Sequence, residues 1–244
     1  MPTFLVTIRY DGTDYHGWQV QKNALAVQPV VQDSLCKILK YRPDVTGCSR
    51  TDSGVHAQGY CFHFDYTGRM DAQSLVKAMN TVLPDDIAAI DCRQVPDDFH
   101  ARYAVKSKVY RYRFYNGKTR DPFYRQYAQF IPYRLDEQRM RQAAQAFVGT
   151  HDFAGFCAAG SAVEDTVRTV MAADVWRQGE IVTFQVEADG FLYNMVRIIA
   201  GTLLYVSQGK IDPADMKSIL LSKDRKKAGP TAPACGLCLY KVNY

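Results

Sequence analysis

Tyr60, Phe62, Phe64 and Tyr66 alternate with smaller or polar residues, so an extended chain there carries four aromatic side chains on one face. Such a face cannot be left in water. It has to be covered by helices or by a second layer, and the flanking sequence supplies both. Ahead of it, Phe4, Val6, Ile8 and Tyr10 mark a first strand that stops at the turn signal Asp11-Gly12. Pro29 then opens a helix with Val31, Leu35, Ile38 and Leu39 on its apolar face. After the aromatic strand, Asp71 is placed to cap a helix carrying Leu75, Val76, Met79 and Val82, which Pro84 ends. A strand around Ile87 to Val95 closes this half.

The second half alternates in a similar way. Lys108 to Tyr115 reads as a strand and Asp136 to Val148 as an alanine-rich helix. Val167 to Arg177 and Ile181 to Glu187 form a hairpin pattern about Gln178-Gly179. Gly190 precedes a long helix, Asp212-Pro213 starts a short one, and a final strand alternates Leu237, Leu239 and Lys241 with Cys238, Tyr240 and Val242. With no Gly- or Ser-rich linker between the halves, the expectation is an α+β fold of two packed lobes, residues 1–105 and 106–244.

Composition narrows the classes. Hydrophobic residues make up 47% and charged residues 23% of the 244, as in globular proteins, which excludes a disordered tail, a fibre or a coiled coil. The most apolar stretch, Phe191 to Val206, is broken by Asn194, Arg197 and Gly201, so no membrane span is expected. The first ten residues read as a strand rather than a secretory leader, and the expected setting is the cytoplasm. Seven scattered cysteines do not resemble a disulfide framework. The pair Cys235 and Cys238 stands alone, without the four N/S ligands a structural zinc site uses, so no metal is expected. Neither GxGxxG nor GxxxxGK[ST] occurs.

Two segments carry chemistry. Between Phe99 and Arg125 lie eight Lys or Arg residues, eight Phe or Tyr residues and one acid, Asp121. Tyr110, Tyr112 and Phe114 share one strand face; Arg111 and Arg113 share the other. Cations meet phosphates and rings stack on unpaired bases, so the segment leans toward nucleic acid. It also fits a half-buried aromatic strand with a solvated basic face. The net charge of 30 − 25 = +5 is too small to decide between these readings. The second segment, Gly47 to Ala57, packs Arg50, Asp52, hydroxyls and His56 between glycines. Asp52 there is either an ionised carboxylate held by a neighbouring cation or an aspartate that caps a turn. Arg197, in an otherwise apolar helix, must snorkel to the surface or pair with a carboxylate.

Taken together, Tyr10 to Gln19, Gly47 to Ala57, Phe99-His-Ala-Arg102, Lys108 to Tyr112, His151-Asp-Phe153, Gly190 to Arg197 and Thr231 to Leu237 resemble the tRNA pseudouridine synthase A family, in the family's order. The resemblance implies two similar lobes, a largely antiparallel mixed sheet flanked by helices, and a central basic cleft. It implies a homodimer that converts uridine to pseudouridine at positions 38, 39 and 40 of the tRNA anticodon stem-loop, with no cofactor. Asp52 matches the catalytic aspartate and Arg50 the arginine beside it. Tyr110 matches the tyrosine against the target base, Arg197 the arginine paired with the aspartate, and Leu237 an apolar pocket residue. Ser49 and Ser53 replace the glycine and alanine usual in the catalytic loop.

Overall fold

The computed structural model describes residues 2–160 and 163–244. Contacts divide the chain into two compact units, Met1–Lys106 with Leu239–Tyr244, and Ser107–Cys238. The fold is α+β, with mostly antiparallel strands flanked by helices.

In the first unit, β1 (Thr3–Tyr10) lies between β3 (His56–Asp65) and β4 (Ile87–Val95), antiparallel to both. A two-residue strand, β2 (Thr46–Gly47), extends β3 on its other flank. The central position explains why β1 is buried on both faces, Leu5 as well as Val6 and Ile8. The aromatic face of β3 is inside: Tyr60, Phe62 and Phe64 are at most 1% exposed. Helix α1 (Val27–Leu39) covers this core with Val27, Val31, Ser34 and Leu35, the i, i+4, i+7, i+8 stripe of an amphipathic helix. It begins two residues before Pro29. The first amides of a helix have no partner within it, so proline in the first turn sacrifices no helical bond. Helix α2 (Ala72–Asn80) is capped by Asp71, which accepts from Ser74 N–H at 2.7 Å, and it buries Leu75 and Met79.

The second unit is built on β5 (Ser107–Tyr115), a short β6 (Gln129–Phe130), β7 (Gly149–Asp152), β8 (Val167–Gln178) and β9 (Ile181–Ala188), with spatial order β5-β9-β8-β7. The pairing of β5 with β6 is parallel and makes the sheet mixed. Gly179, at φ +59, turns the β8–β9 hairpin. Between β6 and β7 lies helix α3 (Glu137–Ala144), and after β9 come α4 (Met195–Ser207) and α5 (Met216–Ser222).

Two boundaries depart from the periodicity. Helix α3 gives way to a 3-10 turn at Gln145–Phe147, where Phe147 joins a fully buried cluster with Phe153 and Phe156. Ring packing there overrides an alanine-rich run that would otherwise stay helical. Helix α4 begins at Met195 rather than just after Gly190, because Asn194 takes a left-handed conformation, φ 59, ahead of it.

Asp152, in the His-Asp-Phe segment, fastens three parts of this unit. Its Oδ1 accepts from Ala154 N–H at 3.0 Å and Thr166 Oγ1–H at 2.5 Å, and Oδ2 lies 2.7 Å from Lys223 Nζ. The Lys223 ammonium, then the Thr166 hydroxyl, hold the carboxyl down to about 2. A depressed carboxyl stabilises the fold in full above its ordinary value of 3.8 and loses that contribution as pH falls through about 2. Lys223 is 59% exposed, so solvent screens much of the pair. Asp152→Asn should therefore cost on the order of 1 kcal/mol in urea unfolding at pH 7. The difference from the parent protein should narrow steadily as pH falls below about 4; a difference independent of pH would assign the cost to packing alone.

Candidate active site

The loop from Gly47 to Ala57 leaves the sheet where β2 ends, with Cys48 N–H still bonded to Cys61 O at 2.8 Å. Its far end is a tight turn, in which Val55 N–H donates to Asp52 O at 3.2 Å and Gly54 takes φ +75. Thr51 and Val55 are buried on either side of this turn, while Asp52 is half-buried and Arg50 and Ser53 are exposed. The loop is thus anchored through its neighbours, with the carboxylate at the head of the turn.

The anchoring comes from Tyr10 to Trp18. Tyr10 Oη lies 2.9 Å from Thr51 Oγ1 in a buried hydrogen bond. Gly12 N–H donates to His56 Nδ1 at 3.0 Å, Gly54 N–H to Tyr15 O at 3.0 Å, and Trp18 N–H to Thr51 O at 3.4 Å. Backbone meets backbone here: a Cβ on Gly12 would stand 2.0 Å from Val55 O, and one on Gly17 2.1 Å from Thr51 O. Gly17 also takes φ +82, which side-chain-bearing residues rarely adopt. The same segment is tied from behind by α1, whose first two amides, Val27 and Gln28, donate to Gly17 O and Trp18 O. Tyr15 Oη–H donates to Asp86 Oδ1 at 2.8 Å; burial, then that carboxylate, push the phenol up and keep it protonated.

Trp18 stacks on Tyr60 with centroids 4.1 Å apart, and Tyr60 Oη–H donates to Ser49 O at 2.5 Å. Ser49 therefore contributes its carbonyl, while its hydroxyl lies 3.8 Å from Cys48 Sγ. Ser53 Oγ sits 3.5 Å from Tyr15 O. Neither serine displaces a backbone bond of the loop.

The other sequence-predicted residues, Tyr110, Arg197 and Leu237, lie in the second unit. Tyr110 is on the buried face of β5, opposite Val186 of β9, with its ring edge-on to Phe191 at 5.0 Å. Arg197 is half-buried in the first turn of α4. Its Nε donates to Ala232 O at 2.7 Å and Nη1 to Asn194 Oδ1 at 2.8 Å. Leu237, 5% exposed, opens β10 (Leu237–Asn243). The stretch before it joins these pieces. Ala232 N–H donates to Arg197 O, Pro230 O lies where a Cβ on Gly201 would be, and Tyr112 Oη–H donates to Pro233 O at 2.9 Å.

On the opposite face of β5, Arg111 is half-buried: Nε donates to Gln185 Oε1 at 2.8 Å and the guanidinium lies over Trp176. Among the described residues no group of three His, Cys, Asp or Glu side chains could hold a metal ion, and no helix is long and apolar enough to cross a membrane. The supporting parts absent from the sequence reading are the Tyr10–Thr51 bond, the glycine contacts and the Asn194–Arg197 bond. Their residues stand inside the motifs, but nothing in the sequence says what they touch.

The family model described as tRNA pseudouridine synthase matches residues 6–104 and 143–244. Those spans include Arg50, Asp52, Arg197 and Leu237; Tyr110 falls between them. A protein named tRNA pseudouridine synthase A from Thermoanaerobacter sp. (strain X514) is 46% identical over 244 residues, covering both chains completely. Proteins of the same name from Exiguobacterium sibiricum and Ruminiclostridium cellulolyticum are 46% and 45% identical, over 100% and 98% of this chain and 97% and 98% of theirs.

Gly17→Ala combines left-handed strain with a backbone clash, and should destabilise the protein by about 3 kcal/mol in urea unfolding. Gly209→Ala, at φ +71 with open space around it, should cost only about 1 kcal/mol. Equal costs would mean that the contact with Thr51 is not what fixes Gly17.

Proposed function

The chain belongs to the tRNA pseudouridine synthase family, and from this we propose that it isomerises uridine to pseudouridine at positions 38, 39 and 40 of the tRNA anticodon stem-loop, with Asp52 as catalytic residue. The observation that carries the assignment of Asp52 is the clamped turn: four hydrogen bonds from Tyr10 to Trp18 fix the loop and leave a half-buried carboxylate at its head.

The reaction breaks the C1′–N1 bond, rotates the uracil and joins C5 to C1′; C5 then loses its proton and N1, freed from the sugar, gains one. Atoms balance within the nucleotide and no electrons are exchanged, so the residues present suffice without a cofactor. An ionised Asp52 serves either as the nucleophile at C1′ or as the base that takes the 2′ proton to give a glycal. Both routes require the target nucleotide to leave its stack.

Arg197 is assigned the cation that pairs with Asp52. Its bonds to Asn194 and Ala232 O support this role by orienting the guanidinium before RNA arrives. Tyr110 is assigned the ring against the flipped uracil, Arg50 a phosphate contact beside the loop, and Leu237 an apolar wall of the pocket. A homodimer and a cytoplasmic setting belong to the same reading.

Release of tritium from tRNA labelled at uracil C5 tests it directly. Asp52→Asn should slow release by at least about 100-fold while tRNA affinity stays within a few-fold. Undiminished release would end the assignment, and tRNA binding without release by the parent protein would make the chain an RNA-binding protein only. Tyr110→Phe should keep fold and affinity. A slowed release in that variant would make the phenol the base for the C5 proton, and a full rate would leave the ring only its stacking role.

A further inference from the structure

The segment Phe99 to Arg125 has a second half that the proposed catalytic residues do not use. Between β5 and β6 the chain makes a compact turn whose most prominent side chain is Phe123, 87% exposed. A phenylalanine displayed to water to this extent is unusual, and the turn beneath it is firmly built. Phe123 N–H donates to Asp121 Oδ1 at 2.9 Å, Tyr124 N–H to Asp121 O at 3.2 Å, and the Tyr127 and Ala128 amides both donate to Tyr124 O. Tyr124 stacks on Tyr115 with centroids 5.0 Å apart and planes 13° from parallel. Tyr115 in turn is 7% exposed, and its Oη–H donates to Glu180 Oε2 at 2.7 Å. Phe123 is therefore presented from a fixed base.

Three cations surround it in sequence: Lys118, Arg120 and Arg125 are all exposed, and none has a hydrogen-bond or ion-pair partner among the described residues. The only acid in the turn, Asp121, spends one oxygen on the Phe123 amide. We propose that this turn is a second RNA contact, in which Phe123 stacks on an unpaired tRNA nucleotide other than the target uridine while Lys118, Arg120 and Arg125 meet the flanking phosphates. The proposal rests on the reading that tRNA is the substrate.

Charge and shape select this occupant. A polyanion relieves the mutual repulsion of the three cations, and a planar base relieves the exposure of the ring. A paired A-form stem offers no open base face, so the nucleotide belongs to a loop or a bulge. A second copy of the same turn would set three cations against three, which a two-fold contact cannot compensate.

The test uses the full chain and full-length tRNA. Phe123→Ala should raise Kd and KM about 10-fold, within the range for loss of one stacked base, with kcat in the tritium-release assay within two-fold. Phe123→Tyr, which keeps the ring, should restore both constants. Arg120→Ala and Arg125→Ala should each weaken binding and flatten the dependence of log affinity on log salt by about one charge. Unchanged Kd and salt dependence in all these variants would overturn the proposal. Conversion of a dimer to a monomer by Phe123→Ala, at unchanged tRNA affinity per protomer, would do so too and assign the turn to a second copy. A parent protein that releases no tritium defeats the catalytic reading instead, and the affinity comparison still reads this surface.

Discussion

The approach of the Tyr10–Trp18 backbone to the Thr51–Val55 backbone is the contact on which the first unit's site depends. Its origin is in the sheet. Tyr10 at the end of β1 stands opposite Ala57 at the start of β3, so the two loops leave paired strands from the same end and must run side by side. Gly12 and Gly17 let them touch without intervening side chains, and hydrogen bonds then fill the seam. On its far side, the same segment supplies the carbonyls that α1 needs for its first two amides. Strand register, helix start and loop geometry are therefore one arrangement: disturbing any of them moves the turn that carries Asp52.

The second unit solves a different problem, that of keeping a guanidinium in an apolar helix. Ten of the thirteen residues of α4 are buried, so a cation within it is costly unless its donors are used. Arg197 sits in the first turn, where Asn194, left-handed and just outside the helix, turns its amide oxygen toward Nη1. The stretch that passes over Gly201 brings Ala232 O to Nε. Here again the enabling residue is a glycine at a backbone crossing, and Gly229 N–H bonding to Thr202 Oγ1 secures the crossing.

Much of this architecture was legible because it follows from period and punctuation. The strands β1, β3, β4, β8 and β9, the Asp71 cap and the Asp212-Pro213 start are local signals, and the structure places elements where those signals lie. Asp52, Arg50, Tyr110, Arg197 and Leu237 stood out only through motifs taken together, since each alone has an ordinary structural explanation. What stayed hidden is tertiary. The four residues of β7 carry no apolar alternation and become a strand by pairing with β8. The end of α3 is decided by where Phe147 packs. Arg111 reads as part of a solvated basic face, yet its planar group is engaged by Gln185 and Trp176 on neighbouring strands. Spacing along one strand carries no information about those partners.

The proposed chemistry explains why rigidity is concentrated where it is. In a uridine-to-pseudouridine isomerisation the base is detached midway, and nothing covalent returns it to the sugar. The reacting atoms stay within reach only if the groups around them do not drift, because a misplacement of about 1 Å can cost a hundred-fold in rate. A catalytic carboxylate on a free loop would also lose its orientation with every excursion of that loop. Clamping the turn through hydrogen bonds to Thr51, Gly54 and the His56 imidazole fixes the path of the chain on either side of Asp52. Affinity for the rest of a large polyanion can then come from surfaces that need no such precision. The exposed ring and three exposed cations proposed as a second RNA contact would provide it without constraining the reacting centre.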